Sequence, residues 1–128
     1  MILLSPRIHM FIDLFVIVFL VLSPTLFDLS YFGSQLVYGL AIIHFALTVF
    51  TDFGKGIIKL IPFSVHGLIE LLVSLTLVIL SFTVLKHNPN DHAFFLQFGI
   101  AVFLLWLATT YDPNKRKGKN PLKPYREY

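Results

Sequence analysis

Apolar residues run along this chain in four long blocks, and the polar residues collect between the blocks rather than alternating within them. The blocks extend approximately from Ile8 to Phe27, Tyr31 to Phe50, Pro62 to Leu85 and Ala93 to Thr110. A helix of about 20 residues rises about 30 Å, the thickness of a bilayer's hydrocarbon core, so each block is long enough to cross one. Unbroken apolar runs are the opposite of the period-two pattern of a barrel strand. The pattern therefore predicts an all-α fold, a bundle of four transmembrane helices. The predicted connectors are a short Asp28-Leu29-Ser30 turn, a loop from Thr51 to Ile61 and a polar turn from Lys86 to His92.

Composition sharpens this picture. The 128 residues are 56% hydrophobic and 13% charged, whereas a soluble domain carries about 25% charged residues and has too little interior to hide so much Phe, Leu, Ile and Val. The natural solvent is a bilayer. The chain has no cysteine, which removes disulfides, thiolate metal sites and iron–sulfur clusters.

The net charge of +3 is unevenly placed. Arg7, Lys55, Lys59, Lys115, Arg116, Lys117, Lys119, Lys123 and Arg126 fall on one side of a four-span topology, and Lys86 alone falls on the other. The positive-inside tendency then predicts a multi-pass protein of the cell (inner) membrane with both termini cytoplasmic. Residues 1–113 form the membrane domain in this reading, and 114–128 form a basic, disordered tail that can lie on anionic lipid. Nucleic acid is not an expected partner, because the tail lies against the membrane and carries no recognition module. A signal peptide is the competing reading of the first block, but Asp13 interrupts the run and no small-x-small cleavage site follows.

The chain also matches itself. A shift of 57 residues aligns His9 with His66, Asp13 with Glu70 and Leu20 with Leu77, and a shift of 60 aligns Gly39 with Gly99, Ala41 with Ala101 and Asp52 with Asp112. This predicts two tandem helical-hairpin repeats, about 8–52 and 62–112, related by a pseudo-two-fold axis along the membrane normal. The run Thr51-Asp52-Phe53-Gly54-Lys55-Gly56, then Lys59-Leu60-Ile61-Pro62, then His66 and Glu70, resembles the SPW-repeat family of small prokaryotic membrane proteins. The resemblance covers most of Ile8 to Pro113 and implies a fold and a location, without an activity. The motif that names the family reads Ser23-Pro24-Thr25 in the first copy and Ser81-Phe82-Thr83 in the second, so its tryptophan is absent from both.

The candidate chemistry lies in His9 with Asp13 and His66 with Glu70. Each is an i, i+4 pair on one helix face, and on the third span that face continues through Ser74 and Ser81. Charged groups at the bilayer centre cost roughly 2.5 to 3.5 kcal/mol on insertion scales, so both carboxylates are expected to turn inward and meet near the axis. His44 on the second span occupies the same leaflet. Three readings are open for this cluster. Each carboxylate bonds its own histidine, with Lys55, Lys59 or Arg7 in reach, and merely fixes helix packing; or the cluster binds or relays a proton or a divalent cation such as Zn, Mn or Fe; or His9 and His66 hold a haem.

Other polar groups have plainer expectations. His87 and His92 flank the outer turn and should be solvated. The segment Phe53 to Ile61 should lie along the membrane surface, with Ile57, Ile58 and Leu60 toward lipid or bundle and Lys55 and Lys59 toward phosphates. Gly39, Ala41, Gly99 and Ala101 should allow close helix approach, and Tyr31, Trp106 and Tyr111 should anchor at the interface. There is no nucleophile with a base and no Walker or dinucleotide glycine pattern, so no enzyme and no cofactor are expected. The leading expectation is a non-enzymatic membrane protein whose cytoplasmic-leaflet cluster binds or relays a proton or divalent cation; the alternative is a structural or assembly subunit. A bundle this small would need a homo-oligomer to transport anything.

Overall fold

The computed structural model describes residues 3–54 and 58–111. Its helices are α1 (Pro6–Leu26), α2 (Tyr31–Phe50), α3 (Phe63–Phe82) and α4 (Pro89–Ala108), with two-residue strands β1 (Thr51–Asp52) and β2 (Ile61–Pro62) between α2 and α3. All four helices are long and apolar enough to span a membrane. Their lengths of 20 or 21 residues follow from their caps. Ser5 accepts from the Ile8 amide, Ser30 from the Gly33 amide, and Asn88 from the amides of Asn90 and Asp91, while Pro6 and Pro89 sit where a helix has no use for an N–H.

Those caps correct two span boundaries. The fourth helix begins at Pro89 rather than Ala93, because Asn88-Pro89-Asn90-Asp91 is a cap and first turn. The third stops at Phe82 rather than Leu85, where the Thr83 amide closes back on the carbonyls of Ile79 and Leu80. The turn between α1 and α2 stays short because Asp28 takes a left-handed conformation, φ 48°, which aspartate tolerates better than most side chains.

The helices pack as two antiparallel hairpins, α1 on α2 and α3 on α4. Leu20, Val37, Leu77, Phe94 and Phe95 fill the interior between them. The outward faces are apolar, with Phe15, Ile42 and Leu26 about two-thirds exposed or more, as expected of helices solvated by lipid. Backbone pairing ties the hairpins together at the end where α1 begins. Leu4 pairs in parallel with Thr109, and β1 pairs in parallel with β2, Thr51 against Ile61. The start of α1 is thereby held beside the end of α4, and the start of α3 beside the end of α2.

Lys55, Gly56 and Ile57 of the expected surface segment, Asp112 and the tail 114–128 lie outside the described residues.

Candidate functional site

Helical spacing puts His9 above Asp13 on α1 and His66 above Glu70 on α3, and the parallel pairings bring the two helix starts together. All four side chains are 0 to 2% exposed. One ligand-type atom from each lies within 4.8 Å of the other three. The closest pairs cross between hairpins. His9 Nε2 is 3.1 Å from Glu70 Oε1 and 3.3 Å from Asp13 Oδ1; His66 Nε2 is 3.4 Å from Asp13 Oδ2 and 3.5 Å from Glu70 Oε1. Each carboxylate is therefore shared between the two histidines rather than kept by the one four residues earlier. Arg7 and Lys59 do not enter this group: Lys59 reaches Asp52 and the Gly54 carbonyl instead, and Arg7 makes no ion pair among the described residues; Lys55 is outside them.

Two threonines fix how the imidazoles are protonated. His66 Nδ1 is 2.9 Å from Thr51 Oγ1, and His9 Nδ1 is 2.9 Å from Thr109 Oγ1. Each threonine directs its only hydroxyl hydrogen to the carbonyl four residues earlier, Thr51 to Leu47 and Thr109 to Leu105. The hydroxyl oxygens are thus acceptors for Nδ1–H, and in the neutral imidazole Nε2 carries a bare lone pair. His9 Nε2 is hydrogen-bonded to Glu70 Oε1 at 3.1 Å, which takes one proton more than neutral His9 and ionised Glu70 carry, while His66 Nε2 faces both carboxylates in a buried space. Neither oxygen of Asp13 has a hydrogen-bond partner among the described residues, nor has His66 Nε2 or His44 Nε2. A bare imidazole nitrogen against a carboxylate oxygen is repulsive, so positive charge, as a proton on an imidazole or as a cation, favours the arrangement.

His44 stands at the margin, with Nε2 3.5 Å from Asp13 Oδ1 and its side chain 13% exposed. Tyr111 closes the other margin. Its hydroxyl donates to Glu70 Oε2, and its ring packs edge-on to His9 and against Phe63. Burial, with the Glu70 carboxylate beside it, pushes the phenol above its ordinary range, so it remains a donor. Gly67 makes this possible: a Cβ there would lie 2.5 Å from the Tyr111 ring. Phe53 and Phe63 complete an aromatic cover over both histidines.

Several expectations need correction. Tyr111 is a partner of the cluster, not an interfacial anchor; its hydroxyl finds a buried acceptor that the sequence pattern does not reveal. Phe53 is buried over His9 and His66 instead of lying along the surface, while Leu60 of the same segment is exposed. His92 is half-buried, with Nδ1 2.7 Å from the Ser81 carbonyl and its ring against Phe82, because α4 starts early enough to carry it inside; His87 is exposed. Ser74 and Ser81 are buried but bond their own helix, to the carbonyls of Leu71 and Val78. Gly99 does permit close approach, to Ser74, Leu77 and Val78 of α3, and Ala41 is buried, but a Cβ at Gly39 would meet nothing within 4 Å. Gly39 instead lines an apolar cleft of about 390 Å³ between α2 and α3. Ala101 is exposed and lines a second cleft between α1 and α4.

The hairpins correspond in detail. Thr51 and Thr109, which end α2 and α4 and hold the two histidines, are 58 residues apart, and so are Phe53 and Tyr111. The bounds of α2 and α4 follow that spacing rather than 60. By the same spacing His44 corresponds to Val102, so the third histidine has no counterpart.

At the opposite end of the bundle lies a polar site that sequence reasoning missed. Asp91, 2% exposed, accepts from the Ser30 amide at 2.9 Å and from the Ser30 hydroxyl, and so caps α2 from the other hairpin. A Cβ on Gly33 would lie 2.5 Å from Asp91 Oδ1. Ser30 and Asp91 were legible only as members of two separate turns. Compared with known proteins, the chain matches no family model, no curated protein and no solved structure.

Proposed function

We propose that this membrane protein holds a cation, a proton or a divalent ion, in the His9, Asp13, His66 and Glu70 cluster, and that it is not an enzyme. The observation that carries the reading is the convergence of two histidines and two carboxylates on one buried space in which both Asp13 oxygens and His66 Nε2 lack a hydrogen-bond partner among the described residues. In sequence, nine basic residues precede the first span, lie between the second and third or follow the fourth, against Lys86 between the third and fourth, which supports a cytoplasmic position for both termini in the cell membrane and hence for the cluster's leaflet. The matched threonines and aromatics support a tandem hairpin repeat with a pseudo-two-fold axis, in keeping with the SPW-like motifs. Anionic lipid is the partner proposed for the basic tail, and a homo-oligomer the form in which any transport would occur.

A structural role is the second reading, favoured by one observation: the His9–Glu70 and His66–Asp13 contacts join the two hairpins. Infrared difference spectroscopy of the purified protein separates the two. Exchange into deuterium oxide or treatment with a chelator should shift carboxyl bands in the wild type, and these shifts should vanish in a folded Asp13→Asn, Glu70→Gln double variant. Identical difference spectra in both proteins would sink the cation reading.

A further inference from the structure

We infer that the cluster is a four-coordinate site for a divalent transition-metal ion, with His9 Nε2, His66 Nε2, Asp13 and Glu70 as its ligands. This rests on the cation reading above and replaces its open choice between proton and metal with one class of ion.

The distances discriminate. A proton shared between imidazole and carboxylate draws nitrogen and oxygen to about 2.7 to 2.9 Å. The His9 to Glu70 separation, 3.1 Å, is that of an ordinary hydrogen bond, and the other three, 3.3, 3.4 and 3.5 Å, are longer. In a tetrahedral site with metal to ligand bonds of about 2.0 to 2.1 Å, neighbouring ligand atoms stand about 3.3 Å apart. With one oxygen of Asp13 as ligand, three of the six edges of such a tetrahedron are therefore already near their final length, and all four ligand atoms lie within 4.8 Å of one another.

Charge and donor type narrow the ion. Two ionised carboxylates and one divalent ion sum to zero, which is the least costly state for a fully buried site inside a bilayer; a monovalent ion would leave a net negative charge there. Two imidazole nitrogens with two carboxylate oxygens suit borderline ions such as Zn(II), Fe(II), Co(II) or Mn(II). Mg(II) and Ca(II) prefer six or more oxygens, and Cu(I) prefers sulfur.

The surroundings match those of a metal site. Metal-bound histidines normally donate their other ring N–H to an oriented acceptor, and Thr51 and Thr109 provide that acceptor for both. Ligating carboxylates are normally held by outer donors. Tyr111 holds Glu70, and His44 Nε2, 3.5 Å from Asp13 Oδ1, is placed to hold Asp13. Phe53, Phe63 and Tyr111 keep the site covered.

The test uses the full chain in detergent, stripped with a chelator and titrated with Co(II) alone, which reports its coordination through its visible absorption. The wild type should bind one Co(II) per chain, with the intense bands of a four-coordinate ion, and Zn(II) should displace it. His66→Gln and Asp13→Asn should abolish those bands. Thr51→Val and Thr109→Val, which keep every ligand, should weaken binding about 10- to 100-fold. Wild-type protein that remains folded yet binds no Co(II), or binds it equally well after Asp13→Asn, would overturn the metal assignment. If that same protein shows a protonated carboxyl band that disappears in Asp13→Asn or Glu70→Gln, the proton form of the cation reading survives the failure of the metal; if it does not, both fall.

Discussion

Asp13 and Asp91 are both buried carboxylates, at 0 and 2% exposure, one toward each end of the same bundle. Asp91 is answered by its surroundings: the amide and hydroxyl of Ser30 bond it, and Gly33 leaves it room. Asp13 is not answered. Both its oxygens lack hydrogen bonds among the described residues: the Nδ1 atoms of His9 and His66 are engaged by threonines, and His44 Nε2 stands 3.5 Å away. Burial alone would rank the two residues together. What separates them is satisfaction: a carboxylate with its donors in place is a fastening, whereas one without donors is open to the cation proposed above.

Replacing each carboxylate breaks or sharpens that contrast. Asp91→Ala should have the largest effect, a loss of about 3 kcal/mol, because it strands the donors at the start of α2; Asp13→Asn, measured by the same denaturation in metal-stripped protein, should stay within about 1 kcal/mol of wild type. Equal losses would mean that Asp13 is a fastening too. Next comes Gly33→Ala, expected to cost about 2 kcal/mol by forcing the Asp91 carboxylate aside, and a variant as stable as wild type would show that Asp91 can hold α2 from another position.

Thr51→Val and Thr109→Val should each cost about 1 to 2 kcal/mol in thermal or chemical unfolding, since each strands a buried imidazole N–H. Similar values are expected because the two bonds are alike, and a large inequality would show that the hairpins do not share the load. The smallest effect belongs to Gly39→Ala, whose new methyl enters open space; a gain of about 0.5 to 1 kcal/mol from helix propensity is expected, and a loss would reveal a neighbour packed into the cleft.

The four helices were legible because a membrane helix must satisfy its backbone within itself, so length and hydropathy alone mark it. The i, i+4 spacing likewise placed His9 with Asp13 and His66 with Glu70, since helical periodicity is a local property. Local signals were insufficient where a cap depends on a polar run that also reads as a turn, as at Asn88 to Asp91, and where a glycine's neighbours belong to another helix, as Gly67 and Tyr111 show.

Sequence by itself thus determined the spans, their apolar outward faces and the same-helix pairs, all consequences of chain-local chemistry. Only the tertiary structure decided that His9 meets Glu70, that Thr51 and Thr109 turn both Nε2 lone pairs inward, and that Ser30 meets Asp91. These contacts join residues 15 to 100 positions apart, and their partners are chosen by the parallel pairing of the helix ends and the docking of two hairpins, for which no periodicity along the chain carries a mark.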